Sequence, residues 1–150
     1  MQITDFYLLV VGSRTITNYE IVSGILDYLL GDIPTHSHIH IVSGGAKGVD
    51  TLAEQYAKEC GFDIITFKLT KDDWYKIDQT TGKKKYNSSA GYNRNKKMHE
   101  YIAQFPNRGV VALWDGKSKG TLHSIELAKQ YDNPIKFIDY NLFKSAIDKL

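Results

Sequence analysis

Short apolar runs alternate with longer stretches of helical periodicity along this chain, and that alternation constrains the fold most. Phe6-Tyr7-Leu8-Leu9-Val10-Val11 is apolar throughout, the pattern of a strand covered on both faces. His40-Ile41-Val42-Ser43, Phe62 to Phe67, Val110 to Trp114 and Ile135 to Ile138 supply four further strand segments. Between them, Ile21, Val22, Ile25, Leu26 and Leu29 share one helical face, with Thr17 or Asn18 as cap. Val49, Leu52, Ala53, Tyr56, Ala57 and Cys60 share another, on which Cys60 is expected to pack as a small core residue. Met98, Tyr101, Ile102 and Phe105 make a third, Leu122, Ile125 and Ala128 a fourth, and Leu142, Phe143, Ala146, Ile147 and Leu150 a closing amphipathic helix. Strands separated by helices need crossover connections, so an α/β fold with a parallel sheet of about five strands and right-handed crossovers is predicted.

The 150 residues suit one domain, 1–150. A hydrophobic fraction of 42% and a charged fraction of 24% exclude disorder, coiled coil and collagen. Residues 68–89 fit neither period and are expected to form one long loop. The net charge of +2 gives no reason to expect a nucleic-acid partner. Cys60 is the single cysteine, which is compatible with a reducing compartment. The Phe6–Val11 run is too short for a membrane span or a signal sequence. A cytoplasmic domain without membrane attachment is the expectation.

In an open parallel sheet, ligands bind beyond the carboxyl ends of the strands. Three segments of this chain fall at that edge: Gly12-Ser13-Arg14, Ser43 to Asp50, and Asp115 to Thr121. Glycines let a backbone approach a ligand closely, and helix N-termini offer unpaired N–H groups and a positive dipole end. Lys47, Lys117 and Lys119 add charge, while Ser43, Ser118 and Thr121 add hydroxyls. The combination suits a phosphate or another anion. Arg94, four residues before Met98 near the start of the third helix, is placed to grip such a group bidentately. Neither G-x-x-x-x-G-K-[ST] nor G-x-G-x-x-G after the first strand is present, so neither a P-loop nor an ordinary dinucleotide fingerprint is supported.

Four segments, in order, resemble the SLOG superfamily, named from the SMF/DprA proteins and the LOG enzymes, and most closely its YspA/YpsA-related proteins. They are Val11-Gly12-Ser13-Arg14, Ser43-Gly44-Gly45-Ala46-Lys47-Gly48-Val49-Asp50, Ala90-Gly91-x-x-Arg94-Asn95-x-x-Met98, and Trp114-Asp115-Gly116-x-Ser118-x-Gly120-Thr121. The resemblance implies a Rossmann-like three-layer αβα sandwich and a site for a nucleotide-derived ligand. Together with the loop reading above and Trp74 as a stacking candidate, it gives the ligand-binding set Gly12, Ser13, Arg14, Ser43, Gly44, Gly45, Ala46, Lys47, Gly48, Asp50, Trp74, Arg94, Asn95, Asp115, Gly116, Ser118, Gly120 and Thr121. It also implies a homodimer or higher homo-oligomer. LOG enzymes resemble phosphoribohydrolases that use an Arg four residues before a Met and a Glu three residues after a Gly-Thr pair. Arg94 and Met98 match the first feature, whereas Ser124 stands where the Glu is needed. Glu126 is about 200° further round a helix and does not replace it. Catalytic candidates are therefore Arg94, Asp115 and Asp50, with no assigned catalyst among them.

Other features have plainer readings. His36, His38 and His40 alternate and share one face of an extended chain; they are expected at an exposed strand start, without a metal. Lys83-Lys84-Lys85 reads as a solvated loop. Trp74 and Tyr92 are candidates for stacking on a base, and Trp114 for the core. Asp50 either caps its helix or binds a ribose hydroxyl. No cofactor is expected. The leading function is a non-catalytic binder of a nucleotide-derived ligand, acting as a sensor or sequestering a signalling nucleotide. The alternatives are a nucleotide-processing enzyme such as a LOG-like phosphoribohydrolase, and a DprA-like DNA-binding protein.

Overall fold

The all-apolar run from Phe6 becomes the central strand of the sheet. In the computed structural model, which describes residues 3–150, the chain runs β1 (Asp5–Gly12), α1 (Tyr19–Leu30), β2 (His38–Ser43), α2 (Val49–Cys60), β3 (Asp63–Thr66), α3 (Lys71–Trp74), β4 (Tyr75–Ile77), β5 (Lys84–Tyr86), α4 (Ala90–Ala103), β6 (Arg108–Trp114), α5 (Lys119–Gln130), β7 (Ile135–Asp139) and α6 (Tyr140–Asp148). Five strands form one sheet in the order β3-β2-β1-β6-β7, and all four of its pairings are parallel. This is a Rossmann-like α/β fold.

Both faces of β1 are buried because helices cover both. Leu8 and Val10 face one layer, where Val22, Ile25 and Leu26 of α1, Val49, Ala53 and Ala57 of α2, and Tyr140 of α6 complete the core. Leu9 and Val11 face the other, against Val42, Val110, Ala112 and the α4 residues Met98 and Ile102. The register sets Leu9 beside both Val42 and Val110. A slip by one residue would exchange the two cores. Removing the fully buried Leu9 side chain to alanine costs about 2–5 kcal/mol. Of the two cap candidates, Asn18 takes the role, accepting the Ile21 N–H at 3.2 Å.

The strand order positions the site. The first three sheet strands step outward from β1, then β6 returns to its other side. That reversal opens a crevice between the loops that follow β1 and β6.

Two expectations need correction. Residues 68–89 are not one long loop: they form the single turn α3 and an antiparallel hairpin of β4 and β5, with Tyr75 paired to Tyr86. The Asp78 carboxylate accepts the N–H groups of Thr80 at 2.7 Å and Thr81 at 3.3 Å, and Gly82 takes a φ of +70° to close the turn. The strands have three residues each, all exposed, so they bury no apolar face that a period could reveal. Trp74 anchors the hairpin by stacking on Tyr86 at 5.8 Å, with planes 2° apart. Cys60 is exposed rather than core, because α2 ends on it, past the last buried turn. Trp114 is half-buried at the end of β6, where its indole N–H donates to the Ser118 carbonyl at 3.1 Å. Among the described residues, no helix is long and apolar enough to cross a membrane.

Candidate functional site

Ser13 ties the three loops at the carboxyl edge together. Its N–H donates to the Leu113 carbonyl at 3.0 Å, and its hydroxyl accepts the Asp115 N–H at 3.0 Å. Its carbonyl accepts the N–H groups of Ile16 at 3.3 Å and Val49 at 3.4 Å. The loops after β1 and β6 and the start of α2 are thereby fixed to one buried residue. Gly48 completes the junction. Its φ is +83°, and a Cβ there would lie 2.6 Å from the Arg14 Cα and 2.7 Å from the Arg14 carbonyl. Only glycine fits this approach.

Around this junction lies a cleft of about 550 Å³. Gly12, Arg14 and Thr15 line it from the β1 loop, and Ala46 and Asp50 from the β2 loop and α2. Trp74 and Ser88 line it from the hairpin segment, and Arg94 and Asn95 from α4. Asp115, Ser118, Gly120 and Thr121 close it from the β6 loop and α5. The sequence-derived residues Ser13, Ser43, Gly44, Gly45, Lys47, Gly48 and Gly116 are not among the lining. Most of these shape the loops instead. The buried Ser43 hydroxyl donates to the Asp50 carbonyl at 3.3 Å and accepts the Gly45 N–H at 3.1 Å. Gly44 leaves room for two neighbours, since a Cβ there would lie 2.8 Å from both Arg94 Nη1 and Asp50 Oδ2. Lys47 is exposed.

Sequence reasoning left several lining residues out of the ligand set. Thr15 is one residue past its motif, Gly91 is a motif residue outside the ligand set, and Lys117 enters the sequence reading only for its charge. Tyr92, Met98, Ser88, Val11 and Ser124 complete the wall. Ser124 is the residue standing where a LOG-type Glu belongs. It is buried, and its hydroxyl has no hydrogen-bond partner. Glu126 is exposed and outside the cleft.

The charged groups divide by role. Asp115 is saturated: its carboxylate accepts the Lys117 N–H at 2.8 Å, the Ser118 N–H at 2.9 Å and the Thr15 hydroxyl at 2.8 Å. Desolvation pulls its pKa up, but these bonds and the Ser13 contact outweigh that and hold it down at about 2. Its carboxylate therefore organises the β6–α5 loop. Asp50 differs. Burial pushes its carboxyl up from 3.8 to about 6, against the lowering effect of the Ala46 N–H and the nearby Arg94, with Glu54 adding to the rise. The Ala46 N–H at 3.2 Å is its side chain's hydrogen bond. Arg94 donates from Nη1 to the Gly44 carbonyl at 2.8 Å and from Nε to Asn95 Oδ1 at 3.3 Å. Its Nη2 carries no bond among the described residues. Arg14, Arg94 and Lys117 thus share the cleft with Asp50 and Asp115, leaving it positive.

The N-termini of α2 and α4 border the same space, and neither has a side-chain cap. At α5 the Ser118 hydroxyl accepts the Thr121 N–H at 3.2 Å. Such an edge can take an anion on backbone donors, cations and hydroxyls together.

No curated protein matches the chain. Among solved structures it is similar to a predicted subunit of tRNA methyltransferase from Methanocaldococcus jannaschii, at 18% identity and a TM-score of 0.40, over 93% of this chain and 71% of that one. Residues 6–74, just under half of the chain, match the model of YAcAr, the YspA, cpYpsA-related SLOG family. The matched span holds the Gly12-Ser13-Arg14 and Ser43–Asp50 loops, and it supports the likeness to the YspA/YpsA-related proteins of the SLOG superfamily.

Proposed function

We propose that this chain binds a nucleotide-derived ligand in the cleft and acts as a sensor or sequestering protein. One observation carries the reading: Arg14, Arg94 and Lys117 converge on a cleft at the strand-order reversal, and the cleft also holds the unpartnered Ser124 hydroxyl. A buried hydroxyl without a partner costs about 1–3 kcal/mol, which a ligand's polar atom offsets. The phosphate end of the ligand lies toward Arg94 and the uncapped N-termini of α2 and α4. Trp74 and Tyr92 line the cleft beside the first turn of α4, with Trp74 against Gly91, and suit a base. A homodimer or higher homo-oligomer belongs to the same proposal.

A second reading has its own support. Asp50 is a buried cleft carboxyl with its pKa raised to about 6, a value suited to proton transfer near neutral pH. With Arg94 it would serve a base–ribose hydrolase, in place of the Glu that Ser124 replaces. The discriminating experiment is incubation of the protein with nucleoside mono- and diphosphates, cyclic nucleotides and ADP-ribose derivatives, followed by mass spectrometry. Recovery of intact, bound ligand supports the sensor. Free base with ribose phosphate supports the hydrolase.

A further inference from the structure

The amino ends of the strands carry a second cluster of chemistry, at the opposite edge of the sheet from the cleft. Asp5 on β1 is paired with His38 on β2, and His40 on β2 is paired with Asp63 on β3. Residues in parallel register share a face, so two imidazoles and two carboxylates stand together. His36, the third member of the alternating histidines, is exposed and outside the cluster.

The distances sort the four groups. Asp5 Oδ1 lies 3.0 Å from His40 Nε2 and 3.6 Å from His38 Nδ1. Asp63 Oδ2 lies 2.9 Å from His38 Nε2 and 3.3 Å from His40 Nδ1. Each ring therefore turns one nitrogen to each carboxylate. A neutral imidazole has one N–H, so two neutral rings supply two hydrogens to four contacts. His40 Nε2–H donates to Asp5 Oδ1; once that proton moves to Nδ1 and Asp63 accepts from both rings, the lone pairs of His38 Nδ1 and His40 Nε2 face the Asp5 carboxylate. Three electron-rich atoms then converge, and a cation satisfies them.

We propose that Asp5, His38 and His40 bind a divalent transition-metal ion of the zinc class, with Asp63 as the outer carboxylate that sets both imidazole tautomers. The three ligating residues bring donor atoms within 4.8 Å of one another. A tetrahedral zinc site with bonds of about 2.1 Å has donor separations of about 3.4 Å, and the two Asp5–imidazole distances of 3.0 and 3.6 Å bracket that value. Two imidazoles with one carboxylate select a transition metal over magnesium or calcium. A carboxylate behind metal-binding histidines is the usual outer support for such ligands. His40 is held in place: its ring stacks on Tyr7 at 4.3 Å, and Tyr7 stacks on Phe105 at 3.7 Å. Its side chain is 13% exposed, while those of His38, Asp5 and Asp63 are about half exposed, leaving access for the ion and for water as a fourth ligand. The ion would clasp β1 and β2 directly and the edge strand β3 through Asp63. It lies the length of β1 from the cleft, about 23 Å at roughly 3.3 Å per residue, so it is independent of the ligand reading.

The experiment is calorimetric titration of the metal-stripped full chain with ZnCl2, with MgCl2 as control, and with CoCl2 followed by visible absorption. One zinc per chain is expected, together with a tetrahedral-type cobalt spectrum and no magnesium binding. Asp5→Asn, which keeps the side-chain shape, and His40→Gln should each abolish binding. Asp63→Asn should weaken it about 10–100-fold, and His36→Ala should leave it unchanged. Absence of zinc binding to the folded wild-type chain overturns the proposal. So does binding that survives Asp5→Asn, or that is lost with His36→Ala.

Discussion

Asp50→Asn separates a functional carboxyl from a structural one. Burial raises the Asp50 pKa from 3.8 to about 6. Between those values the folded chain keeps a proton that the unfolded chain has released. Stability therefore falls as pH rises through this window, and the loss is complete above about pH 6. The difference of 6 − 3.8, about 2 pH units, at about 1.4 kcal/mol each, corresponds to about 3 kcal/mol against folding at neutral pH. Asparagine keeps the shape and an oxygen for the Ala46 N–H, and removes the charge. The ligand-free variant should be more stable than wild type by up to about 3 kcal/mol near pH 7.5, a rise in Tm of roughly 6–12 °C for a domain of this size. The difference should vanish below about pH 3, where the wild-type carboxyl is protonated in both states. Urea denaturation at the two pH values reads both results. Nucleotide affinity should fall in the same variant, because a carboxyl retained at a cost to stability is retained for binding or proton transfer. A variant less stable than wild type near neutral pH would refute this reasoning and make Asp50 a helix-capping group.

Other substitutions test the remaining parts of the site. Arg94→Ala should keep the circular dichroism of the fold and weaken nucleotide binding about 10–100-fold by calorimetry, the value of a charge-assisted bond to phosphate. Gly48→Ala should lower stability by at least about 1–3 kcal/mol, since a positive φ and a backbone clash coincide; an unchanged melting curve would contradict the junction. Ser13→Ala leaves the Asp115 N–H unpartnered and should cost about 1–3 kcal/mol in chemical denaturation. Trp74→Ala should weaken binding of purine nucleotides more than binding of inorganic phosphate, measured by competition.

The sheet was legible because its strands are buried on both faces. Phe6–Val11 and Val110–Trp114 are continuous apolar runs, and the helices between them carry clear stripes. The hairpin of β4 and β5 was illegible for the opposite reason: Tyr75–Ile77 and Lys84–Tyr86 are exposed and hold together through turn geometry and Trp74–Tyr86 stacking. The loops of the cleft were visible through their glycines, but sequence does not divide residues that face a cleft from those that build it. Gly48 and Ser43 are motif residues turned inward to backbone and to Asp50, whereas Thr15 and Ser88 line the wall without belonging to a motif pattern. The amino-edge cluster needed the sheet register, because Asp5, His40 and Asp63 come from three separate strands.

The central claim is that the cleft between the β1 and β6 loops is the ligand site. Its most direct test is a titration of isotope-labelled protein with nucleoside mono- and diphosphates, cyclic nucleotides and ADP-ribose, followed by backbone amide NMR. Binding should move the amides of Arg14, Thr15, Ala46, Gly91, Arg94, Ser118 and Thr121, leave those of Asp5 and His38 in place, and need about 10–100-fold more nucleotide in Arg94→Ala. Shifts confined to other surfaces, or no shift with any of these nucleotides, would contradict the account.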